Sequence, residues 1–271
     1  MNATTILTPR SPAERPVSRA GLFTEIGLLA VRRAKETLRE PVWLISGIST
    51  PILYLVLFAP LLTNMPSSLW GGTSVVQMFM PGMLVLFAFG SGSGIGWTIV
   101  DELGTGVIER FRVSPVRRVS LLLGSVVKDA LLFTVCAIVV IAVAVPFGFH
   151  IYVGSMALCL ALLAVMTGMV SAFSAAIGLT MKNTGALASI VTSIQLPLTL
   201  LAGALLPISL APTWLQVIAH VDPLYYGVEA ARDLAVGHIA TTPVGVGFAV
   251  TIALFALTVA WATRTFHRAV A

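Results

Sequence analysis

From Pro41 to Val100 the chain carries no charged residue at all, and this gap narrows what it can fold into more than any other feature. A hydrocarbon layer ~30 Å thick takes about 20 apolar residues per helix, so the spacing between charges measures the crossings. Composition agrees: 57% of the 271 residues are hydrophobic and only 10% charged, with a mean hydropathy of +0.97. That is more apolar surface than a soluble core of this length can hide. Lipid offers no hydrogen-bond partners to an open sheet edge, so the spans must be helices and the fold class is an all-α membrane protein.

Apolar windows place six transmembrane helices at about 41–62, 81–100, 125–147, 154–180, 185–206 and 244–262. The first two are separated by TNMPSSLWGGTSVVQMF, whose Pro, Ser, Gly and Asn cluster predicts a hairpin loop. Basic residues kept on the cytoplasmic side set the orientation. The segments assigned inside hold 7 Lys and Arg in the N-terminal tail, 5 in residues 101–128, 1 at Lys182 and 2 at the C-terminus, which is 15 of 16. Both termini are therefore expected in the cytoplasm, which requires an even number of crossings.

Residues 207–243 are the one stretch where that count can fail. A seventh span there would place Asp222, Glu229, Arg232 and Asp233 at membrane depth, at roughly 2.5–3.5 kcal/mol each near the centre or about 10 kcal/mol together. The pattern instead predicts two short helices broken at Asp222-Pro223, an external cap with Trp214, Tyr225 and Tyr226 at headgroup level. At the other end, residues 1–20 read as a flexible cytoplasmic tail with no signal-peptide core, leaving the first span as the insertion signal. Residues 21–40 set Phe23, Ile26, Ala30, Ala34 and Leu38 near one helical face and Arg32, Lys35, Glu36 and Arg39 on others, which predicts an amphipathic helix in the inner interface. The alternative is a solvated helix leading into the first span.

Several chemistries are excluded by what is missing. None of Lys35, Lys128 and Lys182 follows a Gly, so there is no phosphate-gripping loop and the chain is not itself a Walker-type ATPase. The run FGSGSGIG, 89–96, fails both G-x-G-x-x-G and G-x-S-x-G. It holds two G-x-x-x-G frames, Gly90 to Gly94 and Gly92 to Gly96, and small residues at that spacing let membrane helices approach closely. His150, His220, His238 and His267 are too scattered for a metal centre. Cys136 and Cys159 lie within spans as apolar fillers and imply no disulfide. Lys128 and Asp129 fall in the first turn or so of the third span, where a Lys can snorkel to the interface. Gln195, two residues before Pro197, either satisfies the helix break or lines a pathway.

Three segments carry a family resemblance: MPGMLVLF at the start of the second span, DELGTGVIERFRVSPVRR after it, and LPISLAPTWLQVIAHVDPLYYGVEAARDLAVG before the last. In their order and spacing, over nearly the whole chain, they resemble the type-2 ATP-binding-cassette exporter permeases, in particular the daunorubicin-resistance-like branch. The resemblance implies that Glu109, Arg110, Phe111 and Arg112 form a cytoplasmic coupling helix docked on a separate ATPase subunit, present in two copies. Positive-inside anchoring is the plainer alternative, and suffices for Arg117 and Arg118. Asp101-Glu102-Leu103 stands where many relatives carry a longer acidic-basic run.

The resemblance further implies a pair of permeases, expected identical, with the second and fifth spans lining an export path between them. Phe87 and Phe89 become candidates to meet an apolar solute, and Met78, Met80 and Met83 an adaptable surface, with core or lipid packing as the alternative for all five. Glu229 and Arg232, at i and i+3, are expected to pair and brace the external cap, with a gating or solute role second.

The expected protein is thus a permease subunit in a bacterial inner membrane, moving an amphipathic drug, antibiotic or lipid-like compound outward. It is not an enzyme by itself and binds no cofactor or nucleic acid; ATP and Mg2+ belong to the partner. Export of a lipid-linked polysaccharide is the alternative within the family. An ion-coupled secondary transporter is the alternative from another class, and it needs a midplane acid. A membrane-embedded enzyme comes third.

Overall fold

The computed structural model describes residues 21–39, 41–63, 74–105, 118–204, 208 and 211–269. The tail 1–20 and the hairpin loop 64–73 lie outside the described residues, as does the charged stretch 106–117.

Every regular element among the described residues is helical. In chain order they are α1 Leu22–Leu38, α2 Pro41–Thr63, α3 Val75–Gly104, α4 Arg118–Ala144, α5 Val153–Met181, α6 Thr184–Leu201, α7 Thr213–Ala219, α8 Pro223–Ala235 and α9 Thr242–Ala269. Five of them, α3, α4, α5, α6 and α9, are long and apolar enough to cross a membrane. The first expected span coincides with α2, whose 23 residues cover ~35 Å at 1.5 Å per residue.

The caps explain why the chain turns where it does. Ser74 opens α3 by accepting from the Gln77 N–H at 3.2 Å, and Asn183 opens α6 by accepting from the Ala186 N–H at 3.0 Å. With Lys182 in the left-handed region at φ 50°, two residues are enough to reverse the chain between α5 and α6. Asp222 accepts from the Leu224 N–H at 2.9 Å, and Pro223 starts α8. At 7 and 13 residues, α7 and α8 reach only ~10 and ~20 Å, too short to cross singly.

The hub is α5, which packs against α3, α4, α8 and α9. Its buried face includes Leu162, Leu163, Met166, Ala172, Ala175 and Ala176. The other helices bury one stripe and expose another that is just as apolar. In α4, Phe133, Ala137, Val140 and Ile141 are buried, while Leu131, Val135, Ile138 and Val139 are exposed. In α9 the exposed residues include Ile252 and Leu257. Lipid, or an apolar protein partner, makes such outer stripes favourable, since in water the same area is what folding removes.

One expectation is corrected. The third crossing begins at Arg118, so Lys128 and Asp129 sit about three turns into α4 and not in its first turn. The helix that carries the fifth expected span ends at Leu201, and the one that carries the last runs on to Ala269. Of the expected apolar face of α1, Ala30 is buried against α4 and Ile26 and Ala34 are half-buried, while Leu38 is exposed. This helix packs on protein along one face, with Gly124 of α4 opposite Leu29 and Ala30.

Candidate functional site

Three groups of polar or small residues stand out from the apolar bundle, one where α3 ends and α4 begins, one between α3 and α5, and one in the cap made by α7 and α8.

At the first, α1 holds both flanks of the charged stretch 106–117. The Arg33 guanidinium donates to Glu102 of α3 at 3.0 Å, with both side chains about four-fifths buried. On the other flank the Ser120 hydroxyl of α4 donates to Glu25 at 2.9 Å. Glu102 lies four residues before the stretch and Ser120 three after it, so α1 is bonded to the helix on each side of the stretch. Deeper in, Lys128 pairs with Asp129 at 2.7 Å, and the Ser171 hydroxyl of α5 donates to the other Asp129 oxygen at 2.6 Å. The Lys128 side chain is 16% exposed, a paired lysine and not one reaching freely for the interface. Glu109, Arg110, Phe111 and Arg112, the proposed coupling residues, lie outside the described residues.

The second group is the seam of α3 on α5. Gly96 meets Ser174 so closely that a Cβ would stand 2.4 Å from its hydroxyl and 2.7 Å from its carbonyl. A Cβ on Gly92 would stand 2.6 Å from the Thr167 carbonyl. The Ser174 hydroxyl crosses the seam to the Ser93 carbonyl at 2.5 Å. A Cβ on Gly90 or Gly94 would meet nothing within 4 Å, so among the described residues one of the two interleaved frames packs and the other faces open space. Phe89 is buried in the core, and Phe87 is half-buried against Phe133 with ring centroids 5.3 Å apart. Gln195 is half-buried, and its carbonyl accepts the Thr199 hydroxyl at 2.7 Å. Met80 and Met83 are buried in the core, with Met78 packed against it. These positions are not brought together into one chamber within the chain.

In the cap, Arg232 pairs with Glu229 at 3.2 Å. Sequence periodicity anticipates that pair but not the burial: Arg232 is only 5% exposed, and its other terminal nitrogen donates to the Gly203 carbonyl at the end of α6. Asp233 accepts from the Thr241 hydroxyl at 2.6 Å, tying α8 to α9. Gln77 is a further residue of the site that sequence reasoning did not single out. Its amide oxygen accepts from the His150 N–H at 2.9 Å. Its amide nitrogen donates to the His150 carbonyl at 3.0 Å and to the Ala235 carbonyl. It joins α3 to the α4–α5 turn and to the end of α8. The available signal is its isolation as the single glutamine in the uncharged run, because a buried amide in a membrane bundle needs partners.

Asp222 gives the cap a pH dependence. One carboxylate oxygen caps α8, and the other is buried without a hydrogen bond. Burial raises its carboxyl to about 6, against the Leu224 N–H bond, which lowers it. A folded-state value above the unfolded ~3.9 means the associated stability is complete below about pH 4 and is lost as the pH rises through about 6. Hydrogen exchange across α8 is expected to be slower, after correction for intrinsic rates, at pH 5 than at pH 7. Asp222→Asn, which keeps the capping oxygen, is expected to abolish that difference; an unchanged difference would locate the titration elsewhere.

Among the described residues no three His, Cys, Asp or Glu side chains are grouped to hold a metal ion. What the arrangement can do is mechanical: a helical bundle is gripped at one end around a charged loop and stapled at the other beneath a buried arginine.

Comparison with known proteins fits this arrangement. The family described as ABC-2 type transporter matches residues 24–236, from α1 to just past the end of α8. A putative transport permease, ycf38, from Cyanophora paradoxa is 28% identical over 217 residues, covering 78% of this chain and 73% of that protein. Its counterpart from Porphyra purpurea is 27% identical over 214 residues, 78% of this chain and 74% of that one. The daunorubicin resistance ABC transporter permease protein DrrB1 of Streptomyces coeruleorubidus is 24% identical over 225 residues, 80% and 77% of the two chains.

Proposed function

Because the chain belongs to the ABC-2 type transporter family and is a multi-pass transporter permease, we propose that it exports an amphipathic compound with energy from a separate ATPase subunit. The observation that carries this reading is the extent of the family match, which includes the charged loop, both helices that flank it and the cap. Residues 107–113 are the docking foot, with Glu109, Arg110, Phe111 and Arg112 entering the ATPase. What supports this is their attachment: α3 and α4 lead out of the loop, and α1 grips both, through Glu102 and Ser120. A loop so held transmits a push as a lever does, which fits an energy source outside the bilayer and a path within it.

The working assembly is two permeases and two ATPases in a bacterial inner membrane. Six spans cross, both termini are cytoplasmic, and the cap is external. ATP and Mg2+ sit on the partner. Likeness to a daunorubicin resistance permease favours a drug, antibiotic or lipid-like solute. An ion-coupled mechanism would have to rest on Asp129, whose carboxylate is already neutralised by Lys128.

The test is co-purification with the separately encoded ATPase, followed by ATP hydrolysis and solute efflux. The wild-type complex is expected to couple the two. Glu109→Ala with Arg110→Ala is expected to lower solute-stimulated hydrolysis and efflux together by at least about tenfold, as for loss of a charged, buried interface contact. Efflux that collapses with a proton uncoupler while ATP is held constant would sink the proposal.

A further inference from the structure

The cap end of α3 and the end of α6 cross backbone to backbone, and the geometry there goes beyond bracing. α6 ends in a reversal with Gly203 in the left-handed region at φ 69°. The Gly203 N–H returns to the Leu200 carbonyl at 3.0 Å and the Ala204 N–H to the Thr199 carbonyl at 3.3 Å. This is the helix-ending arrangement that suits glycine at that position. The reversal throws the Ala204 carbonyl onto Gly82 of α3, where a Cβ would stand 1.7 Å from its oxygen and 2.6 Å from its carbon. No side chain other than hydrogen fits between the two backbones. Ala202 and Ala204 are fully buried.

One side chain holds the reversal from behind. The Gly203 carbonyl, left without an intrahelical partner by the turn, accepts from Arg232 of α8. A charge-assisted hydrogen bond in a buried site is strong, and here it acts on the backbone next to the crossing. Arg232 has a second partner in the Glu229 carboxylate and a buried Nε without one. The guanidinium therefore has an unused donor when it lets go of Gly203. Three residues beyond Arg232, the Ala235 carbonyl is held by Gln77 of α3. α8 thus grips both helices that cross, α6 through Arg232 and α3 through Gln77.

We propose that the Gly82–Ala204 backbone crossing, pinned by Arg232 on the Gly203 carbonyl, is the latch that closes the cap end of the transport path and opens when Arg232 releases Gly203. This rests on the permease reading given above. Opening separates the ends of α3 and α6 while Glu229 keeps the freed guanidinium paired, so no buried charge is left alone.

The experiment uses the full chain, assembled with its ATPase in lipid nanodiscs, with Cys136→Ala and Cys159→Ala removing the native thiols. Ala204→Cys reports the crossing through its labelling rate with a bulky hydrophilic maleimide; Thr199→Cys, near-isosteric and buried in the same turn, is a second reporter. At rest labelling is expected to be slow, and ATP turnover is expected to speed it about tenfold, the weight of one charge-assisted hydrogen bond. Arg232→Gln and, separately, Gly82→Ala are expected to label at that faster rate without ATP. Glu229→Gln, which breaks the ion pair but spares the Gly203 bond, is expected to label slowly at rest; simple bracing of the cap would make it behave like Arg232→Gln. The latch is overturned if folded Arg232→Gln labels at the resting wild-type rate, or if efflux proceeds under ATP with labelling unchanged. A chain that never assembles with an ATPase would defeat the permease reading, while the resting comparison, which needs no ATP, would still decide the latch.

Discussion

Gly96→Val is expected to prevent the bundle from assembling, with the yield of monodisperse protein falling to near nothing. The reason is backbone proximity. The first added carbon already stands 2.4 Å from the Ser174 hydroxyl, 2.7 Å from the Ser174 carbonyl and 3.0 Å from Leu187, and two of these neighbours lie on the buried face of the hub helix α5. From the other side, a Cβ on Gly178 would stand 2.8 Å from the Gly96 carbonyl. Neither helix can yield without opening the seam, so the cost should reach the upper end of the overpacking range, about 3 kcal/mol or more. Gly94→Ala, half a helical turn away from the seam and facing open space, is expected to leave the protomer's thermal unfolding within about 0.5 kcal/mol of wild type. Equal damage from the two would show that α3 does not pack through the Gly92 and Gly96 frame.

Asp129→Leu should be nearly as harmful. It leaves Lys128 buried without its carboxylate and Ser171 without its acceptor, and removing one member of a buried pair costs about 3–5 kcal/mol. The paired change Lys128→Leu with Asp129→Leu removes both charges and should regain most of the loss, because an apolar pair of similar volume is often neutral in such a site. Thermal unfolding in nanodiscs measures the cycle. A lysine that merely snorkelled would lose less than about 1 kcal/mol on Asp129→Leu, with nothing for the second change to restore.

Which stretches form helices was written plainly in the sequence because the signals are local. The uncharged run names the α2 and α3 region, and Asp222-Pro223 divides α7 from α8. What could not be read depends on which surface faces what. In α4 the lipid side, Leu131 and Val135, and the core side, Phe133 and Ala137, are equally apolar, so hydropathy carries no phase that separates them. The two glycine frames of α3 differ by half a helical turn and are identical in composition; the positions of Thr167 and Ser174 on a neighbouring helix select one. Arg33 and Glu102, 69 residues apart, look in the sequence like ordinary inside charges. Glu229 and Arg232 share a helix and so were visible as a pair, but the Gly203 carbonyl that Arg232 also holds is a backbone atom that no motif marks.

The proposed energy-coupling site, Glu109 to Arg112, rests on the family motif and on the bonds of α1 to the helices at both of its flanks. The most direct measurement places a photoreactive amino acid singly at each position from 107 to 113, with one at Lys182 as a control on another loop, and crosslinks in membranes that contain the ATPase. The account predicts crosslinks to the ATPase from a helical subset centred on Glu109, Arg110 and Phe111, and none from Lys182. Crosslinks from 107–113 to lipid alone, in membranes where ATP-driven efflux is running, would contradict it.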